Sequence, residues 1–329
     1  MWAFIVRKVI YYIPVYLGIL LLTMAALRVR DPVSSYLGKN ASQQQIDLLE
    51  KSMGLDQPFI VQYITFVWDV VTLDFGGNSW QQKGKPVSDI VSQAIVPSLS
   101  ITVPTVAISA VLAVAIGLIS SYYRGRAIDR TLVVLAVLGM SISYLVFIIF
   151  GQFFGAFWPQ HAEWAVRPFA IAGYEPWIGW DGDSAFFHPQ NWVRYCLLPV
   201  LIGVVVALGY DTRFYRAVMV EESGRDYITT ALAKGVGRNK ILFVHMLKNA
   251  MIPLITRVMT TLPFLITGSI LAEMYFQIPG MGRALITAIL NNDFPVVQAI
   301  VAVLAAIFIA SIILTDVLYA LVDPRVRLS

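Results

Sequence analysis

The sequence predicts an all-α, polytopic membrane protein with about six transmembrane helices, and two observations carry that reading. The 329 residues are 58% hydrophobic and only 13% charged, with a mean hydropathy of +0.71. A soluble domain carries about 25% charged residues. The apolar residues also gather into six runs, each close to the roughly 20 residues a helix needs to cross a bilayer. Length alone would permit two soluble domains, but runs of this kind overrule that.

The runs cover residues 9–27, 98–121, 131–155, 195–212, 258–276 and 296–322. The first follows Arg7 and Lys8 and ends with the small residues Ala25 and Ala26, as a secretory leader would. Its apolar stretch of about 19 residues exceeds the 7–15 of a leader core, so it reads as a retained anchor. On the third run, Gly139 and Ser143 are small enough for close helix contact. Met140, Ser141, Tyr144, Phe147 and Gln152 on the same run could line a pathway, or simply pack between helices. The fourth run is short and closed by Asp211 and Arg213. The fifth is interrupted by Pro263 and Gly268, which a membrane helix tolerates where neighbours repair the backbone bonds.

Orientation follows from where Lys and Arg lie. With the N-terminus inside, the cytoplasmic pieces are 1–8, 122–130, 211–257 and 323–329. They hold 15 of the 24 cations against six acids, a balance of +9, while the remainder stands at −5. Both termini are therefore expected in the cytoplasm. The formal charge of +4 reflects this topology and gives no argument for nucleic-acid binding. Two outside segments are long, 28–97 and 156–194. The first contains SQQQIDLLEKSMGL, an amphipathic helix with Ser42 as cap and Gly54 as stop. The second, with GYEPWIGWDGDSAFFHPQNW, reads as an ordered loop with aromatic residues near the headgroups. Loops of this length are usually functional or disordered, and the aromatic content argues for order.

Chemistry is sparse. Cys196 stands alone, which excludes an internal disulfide or a multi-cysteine metal site. His161, His188 and His245 are far apart, and neither an HExxH motif nor a Ser/His/Asp constellation is present. Gly84-Lys85 is followed by Pro86 and lacks the first glycine of a phosphate-binding loop. Asp211, Arg257, Glu273 and Asp316 fall near span ends, where water or a partner can satisfy them, and no charge run marks the bilayer centre. Neither catalytic nor metal-binding residues are expected, and no cofactor bound by this chain.

One segment stands apart. Residues 229–253, TTALAKGVGRNKILFVHMLKNAMIP, carry Lys234, Arg238, Lys240 and Lys248 with no acid, inside the connection 222–257. The pattern predicts two short helices, 222–233 and 239–251, broken at Gly235 and Gly237. Ile241, Val244, Leu247 and Met251 recur at helical spacing as an apolar stripe, away from Lys240 and Lys248. Glycine inside a helix costs about 1 kcal/mol relative to alanine, so the pair marks a bend or a close approach. On the residues alone, docking into a groove of another protein and lying on anionic lipid are both open.

The same stretch resembles the cytoplasmic coupling loop of ABC transporter permeases, and in particular the first permease subunit of the dipeptide/oligopeptide/nickel import family. That loop reads TA-x-AKG, nine residues, H-x-L-[KR]-NA and a proline. Here those positions are Thr230, Ala231, Ala233, Lys234, Gly235, His245, Leu247, Lys248, Asn249, Ala250 and Pro253. The general permease pattern begins Glu-Ala-Ala, where this chain has Thr229, Thr230 and Ala231, as the peptide branch does. GLDQPFIVQY, Asp74-Phe75-Gly76, KPVSDIV, EMYFQIPGMGRALITAILNNDFPVVQA and the terminal DVLYALVDPRVR resemble other landmarks of that family in order and spacing. RVRDPV at 28–33 departs from it, since the family places Pro-Gly before Asp-Pro.

The resemblance implies a type I ABC importer permease fold. It implies an N-terminal helix and first periplasmic region over 1–97, and a permease core over 98–329. The site at 229–253 would dock on a separate cytoplasmic ATPase, with Mg-ATP bound there and not here. Partners would be a second homologous permease subunit, two ABC ATPase subunits and an extracytoplasmic substrate-binding protein, all at the bacterial inner membrane. Glu273, Pro279, Gly280 and Gly282 would belong to an outer gate or to the surface that docks the binding protein. Peptides, nickel complexes, glutathione and some sugars are handled by related permeases. Six spans would also serve a secondary transporter driven by an ion gradient, which calls for buried acids or broken helices at the midplane.

Overall fold

A backbone crossing hydrocarbon must pair its own N–H and C=O groups, and this chain does so almost wholly as α-helix. The computed structural model describes residues 2–29, 33, 36–37, 42–75, 77–82, 84–162, 169–181 and 184–322. Among them five helices are long and apolar enough to span a membrane: Phe4–Leu27, Val87–Tyr122, Leu197–Ser223, Arg238–Thr261 and Phe294–Tyr319. A sixth span is a broken pair, Ala127–Ser141 and Tyr144–His161, bent by 92°. The described chain divides into two compact units, residues 1–98 with 279–313, and residues 99–278 with 314–329.

The first unit begins with α1 (Trp2–Leu27), α2 (Gln43–Ser52) and α3 (Phe59–Thr72). Ser42 caps α2 in a reciprocal box with Gln45, and Gly54 follows at φ +67°, as the amphipathic pattern predicts. The α3 helix has no counterpart in the sequence reading. α4 (Val87–Tyr122) starts in KPVSDIV, eleven residues before the predicted span at 98. With α11 (Met281–Leu290) and α12 (Phe294–Val322), its first turns enclose a core of Val87, Val91, Met281, Val297 and Ile300. Tyr16 donates to the Ala302 carbonyl at 3.1 Å and Tyr63 to the Leu17 carbonyl at 2.9 Å, tying α1 to α12 and α3. Asp293 is buried and collects the Ser79 hydroxyl and, at 3.1 Å, the Trp80 amide, so the loop after α3 is fastened to the turn before α12.

The second unit holds α5 (Ala127–Ser141), α6 (Tyr144–His161, with a π-turn at Phe153–Phe157), a β-hairpin of β1 (Ile178–Asp181) and β2 (Ser184–Phe187), α7 (Pro189–Tyr195), α8 (Leu197–Ser223), α9 (Asp226–Ala233) and α10. The last runs from Arg238–Lys240 through a π-turn at Ile241–Met246 into Leu247–Tyr275. Among the described residues of the predicted outer loop, the Trp177 and Trp192 indoles donate to Ser100 at 2.7 and 2.9 Å, and the β-hairpin is formed.

Three spans differ from the sequence reading. The third breaks at Ile142, where extended backbone (ψ 132°) parts the helix between two serines. The fourth does not close at Asp211 and Arg213. Asp211 is nearly buried and takes the Arg257 Nε at 2.9 Å, so an acid that looked like a terminus is satisfied inside the helix pair. The fifth does not start at 258 but continues from the cationic segment without a break, and Pro263 and Gly268 lie within its helix. Gly139 does give the expected close contact: a Cβ on the facing Gly209 would lie 2.8 Å from the Met140 nitrogen. Arg325 and Arg327, like Arg30 to Pro32 and Gly76, lie outside the described residues.

Candidate coupling segment

Residues 226–253 form a helical hairpin whose turn chemistry is legible in atoms. α9 ends at Lys234, and Gly235 adopts φ +72°, a left-handed conformation that glycine takes at little cost. The Gly235 amide donates to the Leu232 carbonyl (2.9 Å) and the Val236 amide to the Ala231 carbonyl (3.1 Å). This double closure is a Schellman cap, and Val236 packs against the cluster that contains Ala231, an apolar contact that often accompanies such caps. Gly237 has ordinary dihedrals, φ −59° and ψ 142°, and caps the next helix. The two glycines therefore differ: one makes the turn, the other merely permits it.

The inward face of the hairpin is built from Ile228, Ala231, Ile241, Met246, Ala250 and Leu254, against Ala113, Leu118, Tyr215 and Met219 of α4 and α8. Of the predicted stripe, Ile241 is core, Leu247 packs half-buried against the same core and Met251 is half-buried, while Val244 is corrected. The π-turn lengthens one helical turn, so the buried positions run 241, 246, 250 and 254, and Val244 is 49% exposed. Phe243 (60%) and Leu232 (57%) are exposed beside it in sequence or on the facing leg, amid exposed Lys234, Lys240 and Lys248.

Two polar clusters hold the hairpin in place. Arg238 donates to the Tyr122 carbonyl at 3.1 Å and lies 4.1 Å over its ring, a cation–π contact at the end of α4. Tyr227 donates to Glu222 at 2.5 Å with the Asn249 amide beside it, which ties α9, α8 and α10 together. Burial first, and then Glu222, push the Tyr227 phenol above its usual value. Nearby, Asp129 receives Arg216 through two nitrogens at 2.7 and 2.8 Å and the Gly125 amide at 2.9 Å, and the Ser120 hydroxyl completes its set.

Of the predicted coupling positions, Thr230, Ala233, Lys234, Gly235, Lys248 and Asn249 are exposed. His245, Leu247 and Pro253 are half-buried, while Ala231 and Ala250 face the core. Leu232, Phe243, Arg238 and Tyr227 were not singled out as site residues by sequence. In the sequence Arg238 is one of four cations of the segment, and its tie to Tyr122 spans 116 residues, which no local pattern reveals. Of the outer candidates, Glu273 is fully buried near the end of α10, its carbonyl accepting the Ile278 amide at 2.9 Å. Pro279, Gly280 and Gly282 belong to the other unit, where Gly280 precedes α11 and the Met281 amide donates to Ser98 at 2.8 Å.

Comparison with known families gives two matches. Residues 110–328 match the binding-protein-dependent transport system inner membrane component, and residues 1–97 its N-terminal counterpart. A putative peptide transport system permease of Brucella abortus is 32% identical over 99% of both chains. A probable peptide ABC transporter permease of Sinorhizobium fredii is 29% identical over 99% of this chain and 100% of its own length. The glutathione transport system permease of Shigella flexneri is 30% identical over 99% of both. A long set of apolar helices, a capped cationic hairpin and a full-length family match converge: the chain belongs to the binding-protein-dependent transport system inner membrane components, as a multi-pass ABC importer permease of the peptide family.

Proposed function

We propose that this permease forms half of a translocation pathway for peptides or similar small solutes and is driven through the hairpin at 229–253. Its counterparts would be a second homologous permease, two ABC ATPase subunits that bind Mg-ATP, and an extracytoplasmic binding protein. Both termini and the hairpin face the cytoplasm in this reading, supported by the +9 against −5 charge division. The observation that carries it is that the hairpin exposes three apolar side chains, Leu232, Phe243 and Val244, together with Lys234, Lys240 and Lys248. Exposed aromatic and aliphatic side chains on a cationic hairpin suit a protein groove better than free solvent.

The second leg of the hairpin is the start of a span. A push on the hairpin is therefore a push on α10, whose helical backbone runs on from Arg238 to Tyr275. The names of the relatives support peptides or glutathione as the solute class. Glu273, Pro279, Gly280 and Gly282 are assigned to the outer gate or the docking surface for the binding protein.

The test is Phe243→Asp in the intact transporter. Because Phe243 is exposed, folding is expected to hold within about 0.5 kcal/mol. Co-purified ATPase and ATP-driven uptake are each expected to fall at least tenfold. A variant that retains both at the parent level overturns the assignment.

A further inference from the structure

A cavity of about 300 Å³ lies in the unit of residues 1–98 and 279–313, among the end of α1, the α2–α3 turn, α3 and the start of α12. Its apolar side includes Met24, Phe66, Trp80 and Phe294, and its walls carry one guanidinium, Arg28, and one carboxylate, Asp69. Arg28 lies 5.5 Å over the Phe59 ring, and its Nη2 is shielded from solvent with no hydrogen-bond partner. Among the described residues no ion pair joins Arg28 to Asp69, although both face one cavity. Buried polar groups are normally satisfied, so an unmet guanidinium nitrogen at a cavity wall points to an absent acceptor.

The walls are fixed rather than incidental. Gln62 donates to the Leu55 and Gln57 carbonyls at 3.3 and 2.6 Å, closing the turn that Gly54 opens at φ +67°. The Asp69 carbonyl receives the Asp74 and Phe75 amides at 2.9 and 3.2 Å, which sets the end of α3. Burial lowers the Arg28 guanidinium from its usual value; burial and then Asp74 raise Asp69. A counter-charge would relieve each.

We propose that this cavity binds a small zwitterion, its anionic group on Arg28 and its ammonium on Asp69. A guanidinium fork matches a carboxylate or phosphate, and a carboxylate matches an ammonium. A ligand of one sign would engage only one of the two wall groups. The volume sits at the lower end of small-molecule sites and admits an amino acid, a very short peptide or the phosphoethanolamine head of a lipid. Those sources share one chemistry. The site involves no residue of the coupling hairpin, so the proposal stands or falls separately from the reading above.

The experiment uses the purified, delipidated full-length chain in its transporter complex. Glycylglycine and O-phosphoethanolamine are titrated by calorimetry, and retention of phosphatidylethanolamine against phosphatidylglycerol is read by native mass spectrometry. Binding of at least one zwitterion is expected, weakened at least tenfold by Arg28→Gln and by Asp69→Asn but not by Asp47→Asn. A response to glycylglycine alone assigns a soluble source; a response to phosphoethanolamine with retention of its lipid assigns the membrane. Single-charge analogues, acetate and ethylamine, need no variant and are expected to bind at least tenfold more weakly. The proposal is overturned if neither zwitterion binds, if both substitutions leave binding unchanged, or if single-charge analogues bind equally well.

Discussion

Gly235 and Gly237 look alike in the sequence and differ in the fold. A side chain at Gly235 would meet open space, yet φ +72° remains unfavourable for any L-residue with a Cβ. Gly235→Ala is therefore expected to loosen the turn by about 1 kcal/mol, and Gly237→Ala to stay within about 0.5 kcal/mol. Amide hydrogen exchange at Val236, whose N–H closes the cap, distinguishes the two; equal protection in both variants would refute the Schellman assignment. The Asp129 cluster makes a stronger residue-level prediction. Its side chain is 4% exposed against 28% for Arg216, so removing Asp129 leaves behind the partner that water can still reach. Asp129→Ala is expected to cost about 2 kcal/mol, below the full penalty of a wholly buried pair, because Arg216 retains access to water. A thermal midpoint in detergent that does not move would show that the cluster contributes nothing to stability.

At the scale of elements, the π-turn in α10 decides which side of the hairpin is core. A straight 3.6-residue period buries Val244; the lengthened turn buries Met246 instead and leaves Val244 exposed. The two registers predict opposite outcomes for a pair of truncations. Met246→Ala is expected to destabilise by about 2–4 kcal/mol through the cavity it leaves, and Val244→Ala by no more than about 0.5 kcal/mol. Chemical denaturation of the two variants in detergent measures both, and a larger loss at Val244 would mean that the helix is regular there. Apolar content was a sound guide to which segments are helices, because length and hydropathy do not depend on register. It was a poor guide to where those helices stop, because Asp211 is neutralised by Arg257, 46 residues away in sequence, and a local pattern reads it as an end. The same limit hid the Asp293 tie and the Arg238–Tyr122 contact, whose partners are distant in the chain. The hairpin as a candidate site was legible, since its glycines, cations and missing acids are all local. Its exposed trio was not, since exposure there depends on an irregular turn.

At the scale of the molecule, the distribution of charge sets which way the permease faces. A Lys or Arg at the centre of a span costs about 2.5–3.5 kcal/mol on insertion scales, so loops rich in them stay on the side of synthesis. In the proposed topology the hairpin near Lys234 and the turn at Arg124 and Arg126 are cytoplasmic, and the segment with Asp47 and Glu50 is extracytoplasmic, as the charge division of the sequence suggests. Native Cys196 is fully buried, which makes it a convenient residue to replace by Ala before single cysteines are placed elsewhere. On that background Leu48→Cys, at a position 69% exposed on α2, is expected to react with a membrane-impermeant maleimide in spheroplasts. Lys234→Cys, exposed at the hairpin, is expected to react only once the membrane is opened. The pair forms an internal control, because an inverted topology exchanges the two labelling patterns and does not abolish either. Labelling of Lys234→Cys in intact spheroplasts would place the hairpin outside, beyond the reach of any cytoplasmic ATPase, and would end the coupling proposal whatever the binding measurements gave.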